Sequence, residues 1–344
     1  MSRKTTSSRK KILLIYTGGT IGMMKDHHTG ALRPVDFSAI VEQVPELRQL
    51  NCSFGFHAFG LPIDSSNVQP EFWGTLARVI EREYARYDGF VILHGTDTMA
   101  YTASALSYML QNLDKPVLLT GSQLPLGAIR TDARRNLITS VEIIAGDVLV
   151  PEVCICFSNQ LYRGNRAEKY TSSKFDAFHS LNYPVLAEAG THIVFDKPEI
   201  RKKPTGKFRV KYGFNTEVAL LKIYPGIHTE AMRAILSTPG LRAAIIETYG
   251  SGNAPTDPGF LRVLKEAIDR GITLINISQC SGGSVEQGKY ETSLHLQEIG
   301  VVSGMDMTTE AAITKAMFLL GQGYKGDRFA QAMVKSLAGE VGVF

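Results

Sequence analysis

GFVILHGTDTMAYTASALSYMLQNL, residues 89 to 113, carries three signals in one stretch. Residues 90 to 93 are continuously apolar, the mark of a strand buried on both faces. Gly95 then breaks the run, and a hydroxyl and a carboxylate follow at Thr96 and Asp97. Beyond them Met99, Leu106, Met109, Leu110 and Leu113 fall near one face of a helix. Strand, glycine turn and helix form the repeating unit of a parallel sheet covered by helices.

The same unit recurs along the chain. KILLIY, KPVLLTG, EVCICFS, EVALLKIYP, RAAIIETYG and GITLINIS read as further strands. DARRNLITSVEIIAG and PGFLRVLKEAIDRG read as helices, the second opened by Asp257-Pro258 and closed by Gly271. One segment breaks the rhythm. DKPEIRKKPTGKFRVKYGF, residues 196 to 214, is charged, holds two prolines and lacks an apolar period, as a linker or an extended crossing does. At 344 residues two domains are the default. The expected fold class is therefore α/β. A larger, mostly parallel-sheet domain spans residues 11 to 196, a linker 197 to 215, and a smaller α/β domain 216 to 344.

Composition excludes several functions. Lys and Arg exceed Asp and Glu by 37 to 33, and no aromatic-and-basic stripe accompanies the positive clusters, so a nucleic-acid partner is not expected. No apolar run is long enough for a signal-peptide core or a membrane span. The four cysteines, Cys52, Cys154, Cys156 and Cys280, lack metal-ligand spacing and suggest no disulfide framework. A reducing cytoplasm is the simplest address. The histidines and carboxylates do not cluster as metal ligands, and neither a metal nor an organic cofactor is expected.

KILLIYTGGTIG, residues 11 to 22, poses the functional question. Its glycines miss the dinucleotide spacing, and no lysine supplies a phosphate loop. MMKDHHTGALRPVD follows without a helical stripe, and a helix is expected only from about Asp36. A phosphate would find no helix N-terminus there. Glycines also let backbone approach a ligand closely, and threonines at the carboxyl ends of parallel strands face the crevice where open sheets bind ligands. Thr17 and Thr20 either cap a turn or present a hydroxyl. Asp97 is likewise either an N-cap or a working carboxylate. Two strand ends carrying Thr20, Thr96 and Asp97 suit acyl transfer, with a hydroxyl to attack and loop N–H groups to hold the oxyanion. His94 is a tempting base, although a histidine ending an apolar run is more often a satisfied core residue; His27 and His28 are poorly placed.

YTGGTIG, DSSN, LHGTDTMAYTASALS, LLTGSQ, LYRGNRAEK and YGSGNAP, in this order, resemble bacterial-type L-asparaginases of the cytoplasmic type I branch. The resemblance runs from about residue 11 to 335. It implies a large N-terminal and a small C-terminal α/β domain and hydrolysis of L-asparagine to aspartate and ammonia, with glutaminase as a minor activity. It also implies residue roles. Thr20 is the nucleophile. Thr96, Asp97 and Lys169 assist it. Asp64, Ser65 and Ser66, with Gly95, Thr96 and Asp97, hold the substrate, and Ser122 lies where backbone meets the side-chain amide.

The flexible loop KDHHTGALRP lacks the tyrosine that many relatives place beside the nucleophile, and Tyr290 is the candidate to replace it. Cys280 matches a cysteine at an allosteric asparagine site of some type I enzymes. Ala167 stands where some of those enzymes carry a threonine, which leaves allostery open. The resemblance further implies a homodimer or a dimer of dimers. The rival of another class is a non-catalytic amino-acid sensor. It would lack a catalytic group, whereas Thr20, Thr96, Asp97 and Lys169 are all present.

Overall fold

The computed structural model describes residues 9–25, 32–34, 40–288 and 291–342. Its larger sheet takes eight strands: β1 (Lys10–Tyr16), β2 (Cys52–Ala58), β3 (Gly89–Leu93), β4 (Val117–Thr120), β5 (Val153–Phe157), β6 (Gln160–Arg163), β7 (Ala187–Ala189) and β8 (Ile193–Phe195). They lie in the order β8-β7-β6-β5-β4-β3-β1-β2. The five strands from β5 to β2 are parallel, and β6, β7 and β8 add antiparallel at one edge.

Period-two side-chain direction splits each continuous apolar strand between two cores. Leu13, Ile15, Phe90, Ile92, Leu119 and Ile155 face α1 (Pro70–Glu83) and α2 (Met99–Met109). Ile12, Leu14, Val91, Leu93, Leu118 and Cys154 face α3 (Ala133–Ala145). The smaller sheet is wholly parallel, β9 (Val218–Lys222), β10 (Ala243–Thr248), β11 (Thr273–Ser278) and β12 (Val302–Ser303) in sequential order. It is sandwiched in the same way. Ala244, Ile246 and Leu274 meet α4 (Pro258–Asp269), and Ile245, Ile275 and Ile277 meet α5 (Thr309–Gly321). The fold class read from the sequence is the one observed.

Two expectations about elements need adjusting. The helical stripe that began at Met99 stops at Met109, because Leu110–Gln111 leaves the helix to pair with Arg209–Val210 from the charged segment. That segment packs along the larger domain: Phe208 stacks on Tyr84 with ring centroids 3.6 Å apart, and Tyr212 donates to Glu81 at 2.5 Å. Strand β2 carried no legible signal. It is an edge strand interrupted by Gly55 and half-buried along much of its length, so it lacks a continuous apolar run. Asp36, the expected helix cap, lies outside the described residues, as do His27 and His28.

The domains meet through α2 and α5, where Tyr108 donates to the Ala311 carbonyl at 3.1 Å. The C-terminal tail threads the same seam: Asn165 donates to the Ala338 carbonyl and Arg166 to that of Gly339. Two buried ion pairs, Arg166–Asp306 at 2.7 Å and Lys315–Glu340 at 2.6 Å, close it. Among the described residues no helix is long and apolar enough to cross a membrane.

Candidate active site

Parallel register puts the carboxyl ends of three strands side by side: Tyr16 pairs with Leu93, and Leu93 with Thr120. The loops that follow, residues 17–20, 94–97 and 121–124, therefore open on one edge of the sheet. The two threonines of the first loop part company here. Thr17 is buried, and both its N–H and its hydroxyl donate to the Leu93 carbonyl at 3.0 Å. Its hydroxyl is spent on joining the strands. Thr20 opens the short 3-10 turn Thr20–Gly22 and is half-buried. A hairpin, Met23–Lys25 with Leu32–Pro34, follows it instead of a helix, so the glycines build no phosphate cradle.

Backbone contact explains two of the glycines. At Gly19, with φ of 83°, a Cβ would lie 2.6 Å from the Cα of Gly95. At Gly95 a Cβ would lie 2.5 Å from the Ser65 hydroxyl oxygen. The loops carrying Thr20 and Thr96 thus touch backbone to backbone, and the Ser65 side chain packs on the Gly95 backbone, approaches that only glycine permits. The Ser65 loop is tied in by Thr98, whose hydroxyl donates to the Ser65 carbonyl at 2.7 Å, and by the Ile63 N–H, which donates to the Thr17 carbonyl at 2.8 Å.

Lys169 reaches this cluster from far along the chain. Its Nζ donates to Thr96 Oγ1 at 2.8 Å and to Asp97 Oδ1 at 2.6 Å. Its side chain is 15% exposed and that of Asp97 60%, so the lysine is enclosed while the carboxylate stays open to a ligand. Sequence spacing alone could not have joined positions 72 residues apart.

The other expected residues divide. Ser65 is buried against Gly95; Asp64 and Ser66 are exposed, and Asp64 accepts from the Ser66 N–H at 2.9 Å, capping its own turn. Ser122 is buried with its hydroxyl turned onto the Leu124 carbonyl at 2.7 Å, which leaves backbone as what its loop presents. That loop is shaped by Asp132 and Asn136, which sequence reasoning missed. Asp132 accepts from the N–H groups of Gln123 and Leu124, and Asn136 donates to the Gly121 carbonyl at 3.0 Å. Cys280 is exposed and lies elsewhere, lining a polar cavity of about 150 Å³ with Glu168, Glu247, Lys222 and Thr309. Tyr290 lies outside the described residues.

His94 is a core residue. It is 1% exposed, with Nδ1 2.7 Å from the Gly95 carbonyl and Nε2 3.0 Å from Thr102 Oγ1, which itself accepts from the Trp73 indole at 3.1 Å. A carbonyl only accepts, so Nδ1 carries the proton and Nε2 takes one from Thr102. Burial pushes the pKa down to about 4, only partly offset by the bond to Gly95. The ring is thus neutral and fully bonded near pH 7. It braces the Gly95 turn and is not a base facing the crevice.

A glycine-lined crevice in which one lysine holds both a threonine hydroxyl and a carboxylate, with a second threonine loop packed against it, can support acyl-transfer chemistry. Comparison with known proteins shows the family. The family model described as Asparaginase, N-terminal, matches residues 11–201, and that described as Glutaminase/Asparaginase C-terminal domain matches residues 217–333. The chain is 42% identical to L-asparaginase 1 of Escherichia coli (strain K12) over 97% of its own length and 98% of that protein. It is 38% identical to the 60 kDa lysophospholipase of Homo sapiens, over 98% of this chain and 62% of that one. The crystal structure of L-asparaginase I from Vibrio cholerae superposes with a TM-score of 0.89 at 41% identity, covering 97% of this chain and all of the other. The chain belongs to the asparaginase family.

Proposed function

We propose that the protein hydrolyses L-asparagine to L-aspartate and ammonia, with Thr20 as nucleophile. The observation that carries this reading is the contact of Lys169 with both Thr96 and Asp97, beside the loop that holds Thr20. The family relationship and the L-asparaginase relatives support it.

In the first half-reaction Thr20 Oγ1 bonds to the side-chain amide carbon. The C–N bond then breaks, and the hydroxyl proton leaves with the nitrogen as ammonia. In the second, water attacks the ester, its proton returns to Thr20, and aspartate departs. The Thr96–Lys169–Asp97 group moves protons between the attacking and leaving atoms. N–H groups of the Gly95–Thr96 and Gly121–Ser122 turns can hold the oxyanion. The exposed carboxylate of Asp97 is the counter-ion for the substrate α-ammonium. Ser65 and Ser66, with Asp64, hold the α-carboxyl end, Asp64 by shaping the turn. Glutamine is a poorer substrate. One methylene in a pocket is worth about 1–3 kcal/mol, or roughly 10–200-fold.

A homodimer or dimer of dimers, a cytoplasmic address, a regulatory role for Cys280 and an assisting role for Tyr290 belong to the same reading. The decisive experiment is ammonia release from asparagine and glutamine by wild type and Thr20→Ala. Wild type turns over asparagine in preference, and Thr20→Ala loses turnover by at least about 10³-fold. Wild type that releases no ammonia from asparagine ends the proposal. A Hill coefficient above 1 for asparagine supports the regulatory site, and one near 1 removes it.

A further inference from the structure

The strand that carries Lys169 is only two residues long. Glu168–Lys169 pairs antiparallel with Phe178–His179, Glu168 opposite His179 and Lys169 opposite Phe178. Successive side chains on a strand point to opposite faces. Lys169 turns to Thr96 and Asp97, while Glu168 turns to the cavity between the domains. The two members of the ladder are anchored very differently. Phe178, opposite the lysine, is 1% exposed, packs on Phe157 with centroids 5.0 Å apart, and has its carbonyl bound by Tyr162. Glu168 has no such core around it. Its carboxylate accepts from His179 Nε2 at 2.5 Å, and the Tyr170 ring stacks on that histidine at 4.5 Å and 11°.

We propose that Glu168 and His179 are positioning residues for Lys169, their cross-strand hydrogen bond setting the pitch of the two-residue ladder and so the reach of the lysine. The inference rests on the proposed catalytic role of Lys169. A two-residue ladder has few backbone hydrogen bonds to fix its twist, so a side-chain bridge across it carries an unusual share of that task. Glu168 also has reason to move if released. Glu247 lines the same cavity, and Glu310, at the start of α5, lies close enough for its own carboxyl to be raised to about 7, chiefly by burial and in part by Glu168 and Glu247. One Oε2 of Glu310 is buried without a hydrogen-bond partner. Without His179, Glu168 would face Glu247 and Glu310 with its own partner gone, while Lys222 is already paired with Glu247 at 3.1 Å; repulsion would push Glu168 away from the cavity and shift Lys169 with it. Lys169 has little slack, since it holds two partners at 2.8 and 2.6 Å, and a misplacement of about 1 Å costs on the order of 10²-fold in rate.

The test is steady-state ammonia release from asparagine by Glu168→Ala, His179→Ala, the double variant and Glu168→Gln, each with a circular-dichroism melt. Lys169→Met serves as the control for the underlying reading. The expected result is a kcat lowered about 10–100-fold in each alanine variant with KM changed less than about threefold. The double variant should lose no more than the worse single one, and Glu168→Gln, which can still accept from the ring, should recover to within about threefold of wild type. Alanine variants with wild-type kcat overturn the proposal, as do parallel losses in kcat and melting temperature that Glu168→Gln does not rescue. If Lys169→Met keeps full activity, it is the catalytic reading that fails.

Discussion

Two lysine–carboxylate pairs in this protein have the same length and opposite surroundings. Lys169–Asp97 and Lys315–Glu340 both measure 2.6 Å. The first is 15% and 60% exposed; both members of the second are fully buried. An open pair gains little stability, because water screens it and competes for both charges. It is free to exchange partners, which a substrate ammonium would require of Asp97. The sealed pair cannot exchange anything. Lys315 also donates to the carbonyls of Met333 and Lys335, and Glu340 accepts from the N–H groups of Leu337 and Ala338. It fastens the C-terminal tail into the domain seam. Burial, not pair type or distance, separates the open pair from the sealed one.

The sharpest way to break the comparison is to remove each lysine. Lys169→Met should lower ammonia release from asparagine on the order of 10²–10⁴-fold with the urea midpoint almost unmoved. A comparable loss of stability would erase the distinction. Lys315→Met leaves a buried unpaired carboxylate and should cost about 3–5 kcal/mol in urea unfolding. Adding Glu340→Gln, which can still accept from the tail N–H groups, should return at least half of that loss.

Acid titration sharpens the structural side. An unfolded histidine protonates near 6.5, whereas buried His94 does so only near 4. The unfolded chain therefore takes up the proton first. This contribution is whole above about pH 6.5 and is lost as pH falls toward 4, by roughly 3 kcal/mol. Urea midpoints between pH 7 and 4.5 should fall in wild type and flatten in His94→Gln. Glu340 acts at lower pH. Burial would raise its carboxyl, but Lys315 and the tail N–H groups outweigh burial and hold it below the ordinary value. Its contribution is present above about 4.5 and lost as pH falls through the depressed pKa. The smallest effect is expected at Thr17→Val, which removes one hydroxyl hydrogen bond to Leu93. About 1 kcal/mol of stability should go, with turnover within about threefold of wild type, in contrast to Thr20→Ala.

Legibility followed the physics of each element. Strands buried on both faces must be continuously apolar, so β1, β3, β4, β5, β10 and β11 stand out in the bare sequence. Edge strand β2 and the short antiparallel strands β6 to β8 are covered less evenly and left no comparable run. Asp132, Asn136 and His179 act through contacts to backbone or to a single distant side chain, and nothing in their local sequence marks them. Residue chemistry alone leaves Thr17 and Thr20 equivalent, and the resemblance favours Thr20; the structure adds that the Thr17 hydroxyl is bonded to the Leu93 carbonyl.

The layered α/β plan is already written in the order of amino acids, because apolar periodicity is a local property that burial imposes on every strand and helix. That order also marked Thr20, Thr96 and Asp97 as strand-end residues, since glycine and hydroxyl side chains follow directly on apolar runs. Folding alone brings Lys169 to Thr96 and Asp97, seals His94 in its neutral form, and leaves one of two equal ion pairs open. Those outcomes depend on distances and solvent exposure between residues far apart in the chain, and neither quantity is written in the order of amino acids.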